Sequence, residues 1–250
     1  ALVVTWAWSP MGWGTGAAAI VTVAGLVVIW QGFLLPVRGY LKRAGEDGRH
    51  AGEEGRTVRR HLALGAALAA VALLASWGSV QRGPFWAHQL TEGTGIQHAK
   101  EMTQIAIALG AVLVSFLAPL VCDWLGRRWT YALLCLGALG ATQGFFLLND
   151  TYGTSFLVWA FLAGGMSASF YGFFPLYFPE LFPTSIRATG QGFCFNVGRV
   201  LAAVGGLQWA TLMGFFGDDF ARTGSVMCGI YLVGMAIVWL GPETRGRALE

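Results

Sequence analysis

Apolar side chains run through this chain in long unbroken stretches, and polar ones are confined to the short breaks between them. The stretches fall at about 15–37, 62–81, 102–122, 129–148, 154–178, 191–216 and 223–241. A helix rising about 1.5 Å per residue needs roughly 20 residues to cross a hydrocarbon layer of about 30 Å, and each stretch approaches or exceeds that length. Runs such as IAIALGAVLVSFLAPLV, residues 105–121, lack the period-two alternation of a barrel strand. Backbone N–H and C=O groups find no water inside a bilayer, so the runs predict helices. The expected fold is therefore an all-α integral membrane bundle of about seven transmembrane helices. Residues 1–14 begin with an apolar stub closed by Ser9 and Pro10; they are read as the end of a truncated helix and an external loop.

Composition sharpens this picture. Of the 250 residues, 55% are hydrophobic and 12% charged, with a mean hydropathy of +0.58. A soluble domain carries about 25% charged residues, so water is excluded as the main solvent of these side chains. Sixteen Lys and Arg against 13 Asp and Glu give a net charge of +3. That balance is too small and too mixed for a phosphate-neutralising surface, which excludes nucleic acid as a partner. Cys122, Cys135, Cys194 and Cys228 each stand alone inside an apolar run, without the paired spacing of a zinc site or disulfide framework. They read as small packing residues, and no cofactor or metal is expected. His88 and His98, in a presumed external loop at about 81–101, read as isolated surface residues.

Cation placement sets the expected orientation. Arg38, Lys42, Arg43, Arg49, Arg56, Arg59 and Arg60 crowd the hydrophilic stretch after the first run, and Arg127, Arg128, Arg187, Arg245 and Arg247 follow later odd-numbered runs. Only Arg82, Lys100 and Arg222 fall on the other side. This predicts a multi-pass protein of the cell membrane with a cytoplasmic C-terminus. The segment 38–61, containing RAGEDGRHAGEEGRTVRR, reads as a flexible cytoplasmic linker.

Small residues mark possible close helix contacts: Gly140 with Gly144, and Gly165, Ser169 and Gly172 on one face of the fifth run. Nearby on that run, Trp159, Met166, Phe170, Phe174 and Tyr177 project together, either toward lipid or as the wall of a substrate cavity. Arg199 lies within the sixth run, where a lone charge is costly and tends to face a watery cavity or a partner. It is a candidate anion site, with snorkelling to the interface as the other reading. Asn196, three residues earlier, shares its face; Arg82 is a second candidate cation near the outer end of its run. Gln104, Gln143 and Gln208 either orient a substrate or bridge helices.

Three short polar sequences lie on the same expected side: DWLGRR at 123–128, FPELFPTSIRATGQG at 178–192, and PETRGRALE at 242–250. Together they resemble motifs of the major facilitator superfamily of secondary transporters. DWLGRR is similar to that family's loop between helices eight and nine; PELFPTSIRATG to the loop between ten and eleven in its sugar and organic-acid branches; PETRG to the ending after helix twelve. The resemblance implies that residues 15–37 are the last helix of an N-terminal half, 38–61 the central linker and 62–250 a C-terminal six-helix bundle. It also implies a cytoplasmic gate formed by Asp123, Gly126, Arg127, Arg128, Glu180, Arg187, Glu243 and Arg245. The chain departs from the family pattern at Pro119 and Trp124 in the first motif, and at Leu176, where sugar porters carry Trp. The stretch NVGR at 196–199 looks more like the organic-ion carriers.

The expected function is alternating-access transport of a small solute, most simply an organic acid, with Arg199, Asn196, Trp159, Phe170, Phe174, Gln104 and Arg82 as candidate substrate contacts. Proton coupling would rest on a carboxylate outside this chain, since no acid sits mid-run. Expected partners are the substrate, the bilayer and a missing N-terminal half or a second copy. A sugar cargo is the alternative. A seven-helix receptor-like protein is the reading from another class, against which the three motifs stand; no enzyme motif is present, and no enzyme is expected.

Overall fold

A computed structural model describes residues 14–46 and 51–246; the apolar stub, residues 47–50 and the last four residues lie outside it. The chain divides into two compact units, 1–56 and 57–250. In the first, helix α1 (Thr15–Glu46) is continuous for 32 residues, running past the apolar stretch through Arg38 and Lys42.

Every regular element among the described residues of the second unit is a helix. It begins within α2 (Ala51–Gly78), which continues through a tight 3-10 turn at Val80–Arg82 into α3 (Gly83–Thr91). Then come α4 (Ala99–Leu125), α5 (Arg127–Leu147), α6 (Thr154–Glu180) and α7 (Arg187–Phe215). The last rod is α8 (Phe220–Cys228), α9 (Ile230–Ile237) and a final 3-10 turn at Val238–Leu240. Five rods among the described residues meet both the length and the apolar composition for crossing a membrane: Gly55–Thr91, Ala99–Leu125, Arg127–Leu147, Thr154–Glu180 and Phe220–Leu240. At 32 and 29 residues, α1 and α7 also have the length.

Two expectations are corrected. The segment 38–61, read as a flexible linker, is helical at 38–46 and again at 51–61, because the charged side chains there do not stop either helix. The presumed loop 81–101 is mostly helix: only Glu92–His98 separates α3 from α4, and His88 sits on α3. The polar pair Gln81 and Arg82 ends the apolar run, but Pro84 fits the first turn of a new helix, where its missing N–H costs nothing, and Trp86 and Ala87 are buried.

Glycines set how closely the rods approach. A Cβ on Gly110 of α4 would lie 2.0 Å from the Phe161 carbonyl oxygen of α6, and one on Gly172 would lie 2.3 Å from the Ser115 carbonyl oxygen. Along this seam α4 and α6 touch backbone to backbone over an extensive contact. Gly165 faces α4 there too, whereas Ser169 donates its hydroxyl to the Met166 carbonyl of its own helix. Of the other expected pair, Gly144 lies against the Trp159 ring while Gly140 faces open space. All four cysteines are buried and free.

Candidate functional site

Polar chemistry gathers in two places, the charged end of the bundle and a cavity between α2 and α7. At the charged end, Gly126 turns the chain from α4 into α5 with φ +86°, a left-handed conformation natural to glycine. The turn places Arg127 and Arg128 at the first two positions of α5. The Arg127 guanidinium donates from Nε and Nη2 to the two oxygens of Glu180, at 2.9 and 2.6 Å, and reaches Asp123 at 3.4 Å. Thr244 donates its hydroxyl to the same Glu180.

Glu243 caps α5 from a distance. Its carboxylate accepts the backbone N–H groups of Arg127 at 2.9 Å and Arg128 at 3.1 Å, and that of Arg245 at 3.1 Å. No side chain caps α5 from its own N-cap position, so this remote acid satisfies donors that a helix start leaves unpaired. Burial pushes the Glu243 carboxyl up, but these backbone hydrogen bonds outweigh it and hold the group below its ordinary value.

The cluster thus joins the α4–α5 turn, the end of α6 and the tail after the last rod. Arg128 adds a hydrogen bond to the Gly241 carbonyl, and Tyr177 donates to that of Pro242. Arg187 donates to the Pro179 carbonyl, stapling the turn between α6 and α7. Arg245 is exposed. At the same end, Arg60 donates to the Leu240 carbonyl at 3.0 Å and His61 Nδ1 lies 2.8 Å from that of Leu181, so the start of α2 holds the ends of two other rods. Sequence reasoning missed His61 and Thr244 and gave Arg60 and Tyr177 other roles, because their partners are backbone carbonyls or acids far along the chain.

The second place is a cavity of about 460 Å³ lined by Leu73, Trp77 and Arg82 from the α2 rod and by Arg199, Ala202 and Ala203 from α7, among others. It brings together the two candidate cations. The Arg199 guanidinium lies 4.7 Å from the Phe195 ring centroid and that of Arg82 lies 5.7 Å from the Trp209 centroid. Among the described residues, the ion pairs are Arg127 with Asp123 and Glu180, and Arg222 with Asp219; none involves Arg82 or Arg199. Trp77 also borders a neighbouring cavity of about 510 Å³ between α2, α4 and α6, lined by Ser76, Ser115, Ser167 and Tyr171 among others. The Trp77 indole N–H donates to the Tyr171 hydroxyl at 2.9 Å on that side.

The remaining candidates sit elsewhere. Asn196 donates to the Gly192 carbonyl one turn back on its own helix. Phe170 stacks on Tyr231 and Phe174 on Phe178, both buried in the bundle interior. Trp159 is half-buried against Gly144, and Gln104 is exposed on α4. Gln143 bridges helices: it donates to the Ser225 carbonyl and accepts from the Ser225 hydroxyl. Trp77 and Tyr171 carried no motif, and only the packing of α2 beside α6 reveals them.

The sequence is similar to that of known proteins. The sugar (and other) transporter family matches residues 52–250. The cis,cis-muconate transport protein of Acinetobacter baylyi is 36% identical over 136 residues, which is 54% of this chain and 29% of that protein. The inner membrane metabolite transport protein YdjE of Escherichia coli is 29% identical over 206 residues, covering 78% of this chain and 42% of the relative. The niacin transporter NiaP of Acinetobacter baylyi is 29% identical over 167 residues, 66% of this chain and 37% of its own length. The matched region spans less than half the length of these relatives. With the family match covering both the charged end and the cavity, the chain belongs to the sugar (and other) transporter family of the major facilitator superfamily, whose members are multi-pass membrane transporters and not enzymes.

Proposed function

We propose that this chain forms the C-terminal bundle of a secondary carrier for a small organic acid. The observation that carries the reading is the convergence of Arg82 and Arg199 on one cavity, with no acid paired to either among the described residues. Arg199 stands twelve residues into α7, about 18 Å along its axis. A cation without an acid partner inside a helix long enough to span a membrane is costly there, and an anionic substrate offsets the cost. The relatives named for muconate and niacin, both carboxylates at neutral pH, favour the same chemistry.

In this reading α2, α4, α6 and α7 face a second bundle, from an N-terminal half or a second copy, and the two rock around the substrate. The excess of cations at the charged end supports a cytoplasmic position for that end and for the C-terminus. The cluster around Arg127, Glu180 and Glu243 holds three parts of the bundle as one moving body. Asp123 and Arg245, on its rim, meet the other half when that side closes. An exposed pair contributes only about 0–1 kcal/mol, so a gate biased by a few kcal/mol needs several pairs acting together. Proton coupling uses a carboxylate of the other half.

Uptake of labelled benzoate and glucose into vesicles containing the full-length protein tests the reading. Saturable benzoate uptake, lost with Arg199→Ala at unchanged expression, is the expected result. Glucose uptake that benzoate does not inhibit would replace the acid with a sugar; uptake of neither would remove the carrier assignment.

A further inference from the structure

Two arginines from different helices meet at the end of the last rod. Arg60 of α2 and Arg128 of α5 donate to the consecutive carbonyls of Leu240 and Gly241, so their donating nitrogens lie within about 11 Å of one another. Carbonyls at a helix end attract cations, and one N–H from each arginine satisfies this pair. Neither guanidinium has an acid partner among the described residues, where the ion pairs are made by Arg127 and Arg222. The nearby acids are already committed, Glu180 to Arg127 and Thr244, and Glu243 to backbone N–H groups. Arg59 and Arg245, both exposed, add to the positive charge at this end.

Tryptophans mark the level of these cations in the membrane. Trp124 lies in the last turn of α4, Trp129 in the first turn of α5 and Trp239 in the final turn of the last rod, and they are 73, 58 and 42% exposed. All three stand at the same end of rods long and apolar enough to cross a bilayer. An exposed indole settles at the headgroup level, with its ring toward lipid and its N–H toward water. Trp129 directly follows Arg128 and Trp239 directly precedes Leu240; their rings meet edge to face with centroids 4.9 Å apart.

We infer that Arg60, Arg128 and the Trp129–Trp239 pair form a binding site for an anionic phospholipid, with its phosphate on the two arginines and its glycerol and upper acyl chains against the indoles. A free anion would use the cations alone; the exposed ring pair beside them is a surface that a lipid fills. Arg60 stands about 20 Å along α2 from Leu73, where the wall of the α2–α7 cavity begins. The lipid site is thus separate from that cavity and does not depend on which cargo it takes.

The test places the full-length protein in phosphatidylcholine nanodiscs with a small fraction of photoreactive phosphatidylglycerol, and maps the crosslinked residues by peptide mass spectrometry. Phosphatidylcholine carrying the same reactive group is the comparison. At equal fraction, phosphatidylglycerol labels residues 124–129 and 238–241 at least about fivefold more strongly, and millimolar inorganic phosphate does not displace it. Arg60→Gln lowers this labelling several-fold, whereas Lys100→Gln, at the opposite end of α4, leaves it unchanged. Equal labelling by the two lipids, labelling spread along the rods, displacement by inorganic phosphate, or full labelling of a folded Arg60→Gln protein overturns the inference. The wild-type map and the comparison of lipids decide the matter even if Arg60→Gln does not fold.

Discussion

Arg127 grips Glu180 through two parallel hydrogen bonds, and the two side chains are only 9% and 14% exposed. Such a fork joins charge to geometry, so a lysine cannot replace it fully. Arg127→Ala leaves the Glu180 carboxylate with Thr244 alone as a side-chain donor and lowers stability by about 3 kcal/mol. Arg127→Lys recovers part of that loss. Unfolding midpoints of the full-length protein in detergent measure both; equal midpoints for wild type and Arg127→Ala would show that the fork does not hold the bundle end.

Glu243 gives the charged end a pH dependence. Its carboxyl is held below the ordinary value by accepting backbone N–H groups. A group depressed in the folded state stabilises the fold above its unfolded value of about 4.3, and the contribution is lost as pH falls through the folded value. Glu243→Gln therefore lowers stability near pH 7 by about 1–2 kcal/mol, and the gap to wild type narrows as pH falls below the ordinary carboxyl value and through the lower folded one. A gap that stays constant from neutral to acid pH would refute the capping role.

The two glycines Gly110 and Gly140 separate packing from propensity. A methyl group at Gly110 would meet the Phe161 carbonyl at 2.0 Å and force α4 from α6, whereas one at Gly140 meets nothing within 4 Å. Gly110→Ala destabilises by about 1–3 kcal/mol through overpacking, and Gly140→Ala is neutral or stabilising by up to about 1 kcal/mol through helix propensity. Detergent melts of the pair check the contrast, which a reversed order would contradict.

The helices were legible because membrane crossing imposes a length, and apolar runs of that length leave the backbone few alternatives. Where polarity and helicity part company, the pattern misleads: Gln81 and Arg82 look like a loop start, yet the rod continues to Thr91. The charged end was legible in part. Asp123, Arg127, Glu180 and Glu243 stand out as ions flanking helix ends, and the fold brings them together. Thr244 and His61 did not stand out, since a hydroxyl or an imidazole bonding a distant group leaves no periodic trace. Arg82 was visible as a cation at the end of an apolar run and Arg199 as one within a run, but their sharing one cavity depends on the register of α2 against α7, set by glycine contacts that no single-helix pattern encodes.

The most direct test of an organic-anion cavity between α2 and α7 is protection of a reporter thiol within it. Ala203→Cys, in a full-length protein whose cysteines outside this chain are replaced by serine, puts a thiol on the cavity wall, while the four cysteines of this chain are buried. A water-soluble maleimide should label it, and millimolar muconate should slow labelling several-fold while glucose leaves it unchanged. Labelling at the same rate with and without the acid, or slowed by glucose instead, would contradict the account.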